Sequence, residues 1–282
     1  MELWYRLVSL LPFSWAEAGS LTFMKNALLA VLVVTPLFGL LSTMVVQSHM
    51  SFFSDALGHS AFTGIAIGVL CGLSSPMWAA AVFALVLSGL FTLVRQHTDL
   101  HSDTVIGVFS STAVALGIFI ATLGGGSFTK FNAYLIGDIL SVEPRMIALL
   151  AAILLLAVVL WLTSFDQMLL SSIHPALAGS RGVRVALQEW LFTAAIALVV
   201  TLSMTWVGLL VINSLLVLPA AAARNLARNA RQYHLFSILG ALVSGVAGLL
   251  ISYYVGSSTG ACVTLCLAFF FLLSLLGGRK RA

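Results

Sequence analysis

The stretch Met146–Phe165 reads MIALLAAILLLAVVLWLTSF, twenty residues without a charged side chain. At 1.5 Å per residue, a helix of this length measures about 30 Å, which is the thickness of the hydrocarbon core of a bilayer. The stretch therefore predicts a transmembrane helix. The whole chain has the same character, since 61% of its 282 residues are hydrophobic and 8% are charged, against about 25% charged in ordinary soluble domains. This composition excludes a soluble globular protein.

Eight other apolar runs are long enough to span a membrane, so we predict nine transmembrane helices in one integral membrane domain of residues 1–282. The fold is predicted to be an all-helical bundle. The predicted spans are Asn26–Val46, Phe52–Leu73, Met77–Val94, Thr104–Leu123, Met146–Phe165, Leu187–Met204, Trp206–Ala222, Leu235–Tyr254 and Thr259–Leu276. One bent span over 187–222, in place of two spans with a turn near 203–206, is the alternative and would leave eight. Residues 1–24 are predicted to form an interfacial helix.

The charged residues lie in clusters between the apolar runs. The net charge of +4 is therefore related to membrane orientation, and nucleic-acid binding is excluded. Positive residues are retained in the cytoplasm, so the side that carries nine of the thirteen Lys and Arg residues is predicted to be cytoplasmic. This assignment places the C-terminus in the cytoplasm and the N-terminus outside.

A short apolar run, Phe131–Val142, lies on the predicted outer side. Its twelve residues are too few to span the bilayer, so it is predicted to be a re-entrant or surface helix. Asp138 lies within this run and Glu143 follows it directly. The two carboxylates are candidates for an outer vestibule that attracts cations, with helix capping as the alternative role.

The second predicted span contains a carboxylate and an imidazole four residues apart, Asp55 and His59. This spacing places both side chains on one face of a helix. An ionised aspartate at the centre of a membrane helix costs about 2.5–3.5 kcal/mol, so the pair is expected to face a polar cavity or to bind a ligand. Carboxylate and imidazole together suit zinc, manganese or ferrous iron, with further residues or a second chain completing the site. A hydrogen bond between the two side chains that serves helix packing is the alternative.

The same span carries glycines at steps of four residues, Gly64, Gly68 and Gly72, which would let a neighbouring helix approach closely. At about 100° per residue, these glycines lie roughly opposite Asp55 and His59. One face of the helix is therefore predicted to pack against a neighbour while the other face lines a path.

A basic segment follows Pro219. Residues 220–233 are predicted to form a short cytoplasmic helix with Arg224, Arg228 and Arg231 on one side. Two roles fit this pattern. The segment could attach to anionic lipid, or it could be a rigid element on which a cytoplasmic motor acts.

The sequence carries no motif for nucleotide binding or hydrolysis. Gly124, Gly125 and Gly126 are not followed by the Lys and the Ser or Thr of a phosphate-binding loop. Any use of ATP must therefore depend on another subunit, and the chain is not predicted to be an enzyme. No exposed nucleophile with an adjacent base is evident, which argues against an intramembrane hydrolase.

Several motifs occur in the order in which one family of transporters has them. They are Asp55-Ala-Leu-Gly-His59 followed by Gly64, Asp103-Thr-Val-Ile-Gly107, Leu135-Ile-Gly-Asp-Ile-Leu140, Val207-Gly-Leu-Leu-Val211 leading to Leu218-Pro-Ala-Ala-Ala222, and Ile251-Ser-Tyr-Tyr254 before Thr259-Gly-Ala261. Through these motifs, residues 26–276 resemble the membrane subunits of bacterial ABC importers for zinc, manganese and iron, the metal-permease family that includes the zinc-uptake permease.

The resemblance implies a homodimer, or a close pair of related membrane chains, that forms one central path in the bacterial inner membrane. Two cytoplasmic ATP-binding subunits would lie below it and an extracytoplasmic metal-binding protein above it. The resemblance also implies that Asp55 and His59 contact the ion in transit. The segment after Pro219, with Arg224 and Arg228, would couple the ATPase to the path. The expected function is import of a divalent metal ion, with no resident cofactor in this chain.

Two other classes of protein fit part of the pattern. A secondary transporter would move divalent cations on an ion gradient without an ATPase. Such folds often contain internal repeats with paired broken helices, and no such repeat is evident in this sequence. A membrane scaffold without transport activity would leave Asp55 unexplained.

Overall fold

Nearly all of the regular structure is helical, as predicted. The computed structural model describes residues 2–9, 15, 21–73, 75–98, 100–123, 137, 139–173 and 175–278, and these ranges contain no β-strand. A 3-10 turn lies at Ile139–Ser141. The helices are α1 (Glu2–Val8), α2 (Thr22–Gln47), α3 (Phe53–Leu70), α4 (Pro76–His97), α5 (Ser102–Leu123), α6 (Pro144–Ile173), α7 (Pro175–Ser180), α8 (Val185–Val207), α9 (Leu209–Leu226), α10 (Ala230–Val255) and α11 (Thr259–Gly278).

Nine helices in the described ranges are long and apolar enough to span a membrane, and each corresponds to one predicted span. They are α2 to α6 and α8 to α11. Residues 187–222 form parts of two helices, so the alternative with eight spans is wrong. The break lies at Gly208, slightly later than predicted, where φ is 89° and ψ is 141°. Glycine adopts such a positive φ without steric cost, which explains why the chain breaks there.

Prolines and one asparagine mark where several helices begin. Pro76 and Pro144 are the first residues of α4 and α6, where proline costs no hydrogen bond because the first amides of a helix lack acceptors within it. Asn229 precedes α10, and its side chain accepts a hydrogen bond of 2.9 Å from the amide of Gln232. This is the usual way in which asparagine caps a helix.

The Asn229 cap divides the basic segment that the sequence predicts as one short helix. Arg224 lies in the last turn of α9, whose interior contains Pro219, and Arg231 lies at the start of α10. Arg228 lies in the break, where its backbone amide donates to Gln232 Oε1 at 3.0 Å. The prediction of a single helix over 220–233 was therefore wrong. The segment is the junction of two long helices.

Three other predicted segments differ from the structure or lie partly outside its described ranges. The predicted span that ends at Phe165 is shorter than the helix, because α6 continues to Ile173 and α7 follows. Of the predicted interfacial helix over 1–24, the structure describes α1, Ser9, Trp15 and residues 21–24. Of the predicted outer helix over 131–142, it describes Gly137 and 139–142, which include the 3-10 turn, and the other residues lie outside the described ranges.

Helix α3 lies among four other helices, since it packs against α4, α5, α8 and α9. A second group is formed by α2, α9, α10 and α11. Hydroxyl pairs join helices within the bundle, at Ser42–Ser237 (2.9 Å), Thr92–Thr193 (3.0 Å) and Ser214–Thr264 (2.9 Å). Such hydrogen bonds between helices are a common means of association in lipid. These polar side chains therefore have structural partners.

Two of the predicted glycines bring α3 against α4. A Cβ atom at Gly64 would overlap the backbone Cα of Ala80, and a Cβ atom at Gly68 would lie 2.9 Å from the Cβ of Ala79. Gly72 does not belong to this contact, because α3 ends at Leu70 and nothing lies within 4 Å of a Cβ placed there. The predicted close packing is therefore confirmed for the first two glycines and wrong for the third.

Gly64→Ala is expected to destabilise the protein by about 1–3 kcal/mol, because the added methyl group meets backbone that is unable to rotate away. Thermal unfolding in detergent measures the effect. Gly107→Ala is the matched control, since this helical position in α5 has open space around a Cβ. Its melting temperature is expected to equal or exceed that of the native chain. Equal melting temperatures for the two variants would contradict the packing described here.

Candidate metal centre

Asp55 and His59 lie on the least buried stripe of α3. The side chains are 46% and 43% exposed in the isolated chain, and Nε2 of His59 lies 3.5 Å from Oδ2 of Asp55. Most other residues of this helix are buried. The structure therefore brings the carboxylate and the imidazole together on the face opposite the glycines that pack against α4.

Asn213 of α9 is a third polar residue at this position, and the sequence analysis missed it. Its amide Nδ2 donates a hydrogen bond of 2.8 Å to Oδ1 of Asp55. Its carbonyl Oδ1 is buried without a hydrogen-bond partner in the part of the chain that the structure describes. An amide inside the apolar run LLVINSLLVL was the signal that could have identified it.

A close approach of α3 and α9 makes this contact possible. Gly58 lies between Asp55 and His59 in the sequence, and a Cβ atom there would overlap the side chain of Leu209. Leu209 is the first residue of α9, so the break at Gly208 sets where this helix begins beside α3. The positions of Gly58 and Gly208 thus place Asn213 beside Asp55.

The distance between the two candidate ligands is compatible with a shared ion. Zinc binds imidazole nitrogen and carboxylate oxygen at about 2.0–2.2 Å, so two such ligands in a tetrahedral site lie about 3.4 Å apart. The separation of 3.5 Å between His59 Nε2 and Asp55 Oδ2 is close to this value. No group of three or more His, Cys, Asp or Glu side chains that could hold a metal ion occurs among the described residues. One chain therefore offers a carboxylate and an imidazole, with the amide of Asn213 beside them.

The apolar surroundings of the pair are also exposed. Phe52 is 64% exposed and lies one turn before Asp55 on the chain, and Leu210 is 56% exposed and lies one turn before Asn213. A half-exposed carboxylate is costly against lipid. This face of the chain is therefore suited to contact with another protein surface or with a polar passage.

The other candidate residues lie elsewhere in the structure. Glu143 is exposed directly before α6, while Asp138 lies outside the described residues. Pro219 is buried in α9, and Arg224 and Arg228 are exposed at the end of this helix and after it. The two arginines line a cavity of about 400 Å³ together with Gln47, His49 and Tyr233. Of this set, the residues that the structure describes, Glu143, Pro219, Arg224 and Arg228, do not join the group around Asp55.

Comparison with known proteins places this geometry in context. Residues 20–278 match the model of the ABC 3 transport family. The chain is 29% identical over 249 residues to the high-affinity zinc uptake system membrane protein ZnuB of Haemophilus influenzae, covering 88% of this chain and 95% of that protein. It is 32% identical over 260 residues to the manganese import system permease protein ScaB of Streptococcus parasanguinis, covering 92% of each.

A solved structure has the same fold over almost the whole chain. It is that of PsaBC from Streptococcus pneumoniae in complex with Fab, which superposes with a TM-score of 0.76 at 27% sequence identity. The match covers 97% of this chain and 95% of that chain. The bundle described above is therefore a fold that occurs in a solved membrane protein.

Proposed function

The chain belongs to the ABC 3 transport family and is the transmembrane subunit of an ATP-driven importer of divalent metal ions, and we propose that Asp55 and His59 contact the ion as it crosses the membrane. The observation that carries this proposal is the pair itself. A carboxylate and an imidazole lie 3.5 Å apart and half exposed within an apolar spanning helix. Exposure of these two side chains to lipid would be costly. The cost is avoided if they face a protein-lined path and bind a metal ion there.

A second copy of the chain would complete the site. The described part of one chain contains no group of three metal-ligating side chains, whereas two copies of Asp55 and His59 supply two carboxylates and two imidazoles. Four such ligands satisfy a tetrahedral ion. The exposed Phe52 and Leu210 beside the pair support a contact between chains on this face. We therefore infer a homodimer with one path between its two chains.

The energy for transport would be supplied by two cytoplasmic ATP-binding subunits. The sequence of this chain has no phosphate-binding loop, so ATP would be bound by those partners. Arg224 and Arg228 lie at the junction of α9 and α10, where they are exposed. Helix α9 also carries Asn213, so Pro219 and the rest of this helix connect the junction to the metal site. We infer that the junction is the coupling element.

The ion would be delivered from outside by an extracytoplasmic metal-binding protein. We infer that the chain lies in the inner membrane of a bacterium with its C-terminus in the cytoplasm and its N-terminus outside. This orientation places nine of the thirteen Lys and Arg residues in the cytoplasm. Asp138 and Glu143 would lie at the outer vestibule, and their negative charges would attract cations there. The cargo is a divalent transition metal ion: zinc and manganese are named for the relatives, and iron has the same preference for imidazole and carboxylate.

Reconstitution of the purified chain in liposomes tests the requirement for an ATPase. The chain alone is expected to transport no zinc or manganese when a proton or sodium gradient is the only source of energy. The chain with its copurified ATP-binding subunits is expected to transport metal and to hydrolyse ATP faster when the metal-loaded binding protein is present. Full transport by the chain alone, driven by a proton or sodium gradient, would instead identify a secondary transporter.

Asn213→Ala is expected to lower metal affinity about tenfold, because groups that orient a metal ligand are typically worth about 10–100-fold. The hydrogen bond from Asn213 holds Asp55 Oδ1, and its loss leaves the carboxylate free to rotate. Metal import as a function of metal concentration measures the change as a higher half-saturating concentration. Ser214→Ala is the matched control, since its hydroxyl contacts Thr264 and not Asp55. An equal change in both variants would contradict a positioning role for Asn213.

A further inference from the structure

A basic cavity lies where the junction of α9 and α10 faces the turn between α2 and α3. It is the cavity of about 400 Å³ that Arg224 and Arg228 line together with Gln47, the last residue of α2, and His49 of the turn. This volume lies within the range of ligand pockets in proteins. Arg224, Arg228 and His49 are exposed, so they are accessible on the side that we infer to be cytoplasmic.

The charge at this cavity is positive and lacks a counterion among the described residues. The described lining residues include two arginines and one histidine but no aspartate or glutamate. The two ion pairs in the described ranges, Asp55–His59 and Arg95–Glu189, involve neither arginine. The cavity also reaches the N-terminal end of α10, where the helix dipole favours an anion. An anion is therefore the ligand that this cavity favours.

The lining and the position of the cavity favour one kind of anion. Leu169 is the one large aliphatic residue among the described lining residues, so the cavity offers little apolar surface to the acyl chain of an anionic lipid. Guanidinium groups bind carboxylates through paired, charge-assisted hydrogen bonds. The cavity also lies at the junction that we infer to contact the ATP-binding subunits. These features favour a carboxylate side chain of that partner.

The turn beside the cavity is held firmly between its two helices. Met50 and Phe53 are buried, with exposed fractions of 0% and 1%. The amide of Met50 donates to the carbonyl of Val45 at 3.0 Å, and the amide of Phe53 donates to the carbonyl of Met50 at 3.0 Å. A displacement at His49 is therefore passed on to the start of α3.

We propose that an aspartate or glutamate side chain of the ATP-binding subunit inserts into this cavity. Its carboxylate would pair with Arg224 and Arg228 and lie beside His49. This inference rests on the proposed function, because it requires an ATP-binding partner, and it adds a contact between that partner and the α2–α3 turn. Helix α3 begins at Phe53, directly after the turn, and carries Asp55. The inserted side chain would thus link the partner to the metal-binding helix.

Cross-linking without a spacer tests which group occupies the cavity. Gln47→Lys places an amine in the cavity wall, and a carbodiimide joins an amine to a carboxylate that touches it. The complex of the full chain with its ATP-binding subunits is treated with carbodiimide, and the linked peptides are identified by mass spectrometry. We expect Gln47→Lys to be joined to one acidic residue of the ATP-binding subunit. Gln96→Lys, at an exposed position of α4 outside this cavity, is the matched control and is expected not to be joined to that residue.

Binding affinity provides a second, independent test. Gln47→Glu supplies a carboxylate from the chain itself, which would pair with the arginines and repel the partner's acidic side chain. We expect the affinity for the ATP-binding subunit to fall at least about tenfold, as for the loss of one hydrogen bond to a charged group. Titration of the labelled subunit onto the chain in lipid nanodiscs measures the dissociation constant. Gln96→Glu makes the same change of charge outside the cavity and is expected to bind as the native chain does.

The outcomes separate this proposal from the coupling role of the junction. The insertion would be overturned by equal affinities of Gln47→Glu and Gln96→Glu, or by the absence of a cross-link from Gln47→Lys, the result expected if a phospholipid or free phosphate filled the cavity. If the double variant Arg224→Glu, Arg228→Glu still binds weakly in that case, the junction contact stands and the insertion alone fails. Failure of the native chain to bind the ATP-binding subunits would overturn both. Either variant of Gln47 decides if the other fails to fold.

Discussion

Asp55→Ala is expected to lower metal import into cells at least about 100-fold, and His59→Ala is expected to have a similar effect. Groups that only orient a ligand are worth about 10–100-fold in metal affinity, so the loss of a direct ligand costs at least the upper end of that range. Uptake of radioactive zinc and manganese measures the effect in cells that express each variant in place of the native chain. The amount of chain in the membrane is determined for each variant.

Two further variants show whether the effect belongs to the metal site. Asp55→Asn keeps an oxygen that accepts from Asn213 but removes the charge, and it is expected to lose import as Asp55→Ala does. Ser60→Ala is the matched control on the same helix, since Ser60 is buried and its hydroxyl donates to the carbonyl of Leu57 at 2.8 Å. This control is expected to import metal at nearly the native rate. Near-normal import by Asp55→Ala at equal expression would contradict the assignment.

The double variant Arg224→Glu, Arg228→Glu is expected to weaken binding of the ATP-binding subunits by about 30–150-fold. Two acidic side chains would replace two exposed basic ones at the proposed contact. Like charges that face each other across an interface cost several kcal/mol of binding free energy. The expected weakening corresponds to a loss of about 2–3 kcal/mol. Import should fall accordingly. Copurification of the ATP-binding subunits at increasing salt concentration measures the binding.

Arg181→Glu is the control for this charge reversal. Arg181 is exposed in the turn after α7, so the variant makes one such reversal of charge, where the double variant makes two, at another position in the chain. It is expected to bind the ATP-binding subunits as the native chain does. The coupling role of the junction between α9 and α10 would be contradicted if the double variant copurified with these subunits as well as Arg181→Glu does.

The number and order of the spanning helices could be predicted from the sequence because each is a long apolar run. The limits of the helices were harder to predict. Helix α6 continues past Phe165 because the residues after it still favour helix, although they are more polar. The helix ends at Ile173. Hydropathy reports where lipid surrounds a helix, and a helix that extends beyond the lipid gives no such pattern.

The pairing of Asp55 with His59 was predictable, whereas the contribution of Asn213 was not. The first pair lies within one turn of a helix, so its spacing fixes the geometry. Asn213 lies 158 residues further along the chain, and its approach to Asp55 depends on the helix break at Gly208 and on the space at Gly58. Those are features of packing between two helices, and a single sequence gives no register between them.

The basic segment shows how a local signal can divide a predicted element. The run of alanine and arginine after Pro219 favours helix throughout. The asparagine at 229 nevertheless caps a new helix, because its side chain satisfies the amide of Gln232. Proline within α9 is tolerated, since in membrane proteins neighbouring helices and local adjustments of the backbone compensate for the hydrogen bond that proline removes. The start of the basic helix was therefore misplaced at Pro219.

Binding of zinc to the purified complex tests the central claim most directly. The full importer, with its ATP-binding subunits, is equilibrated with radioactive zinc, and the bound ion is counted for the native chain and for the Asp55→Ala, His59→Ala double variant. We expect the native complex to hold one ion for each pair of permease chains and the double variant to hold none at the same concentration. Unchanged binding by the double variant would contradict the account.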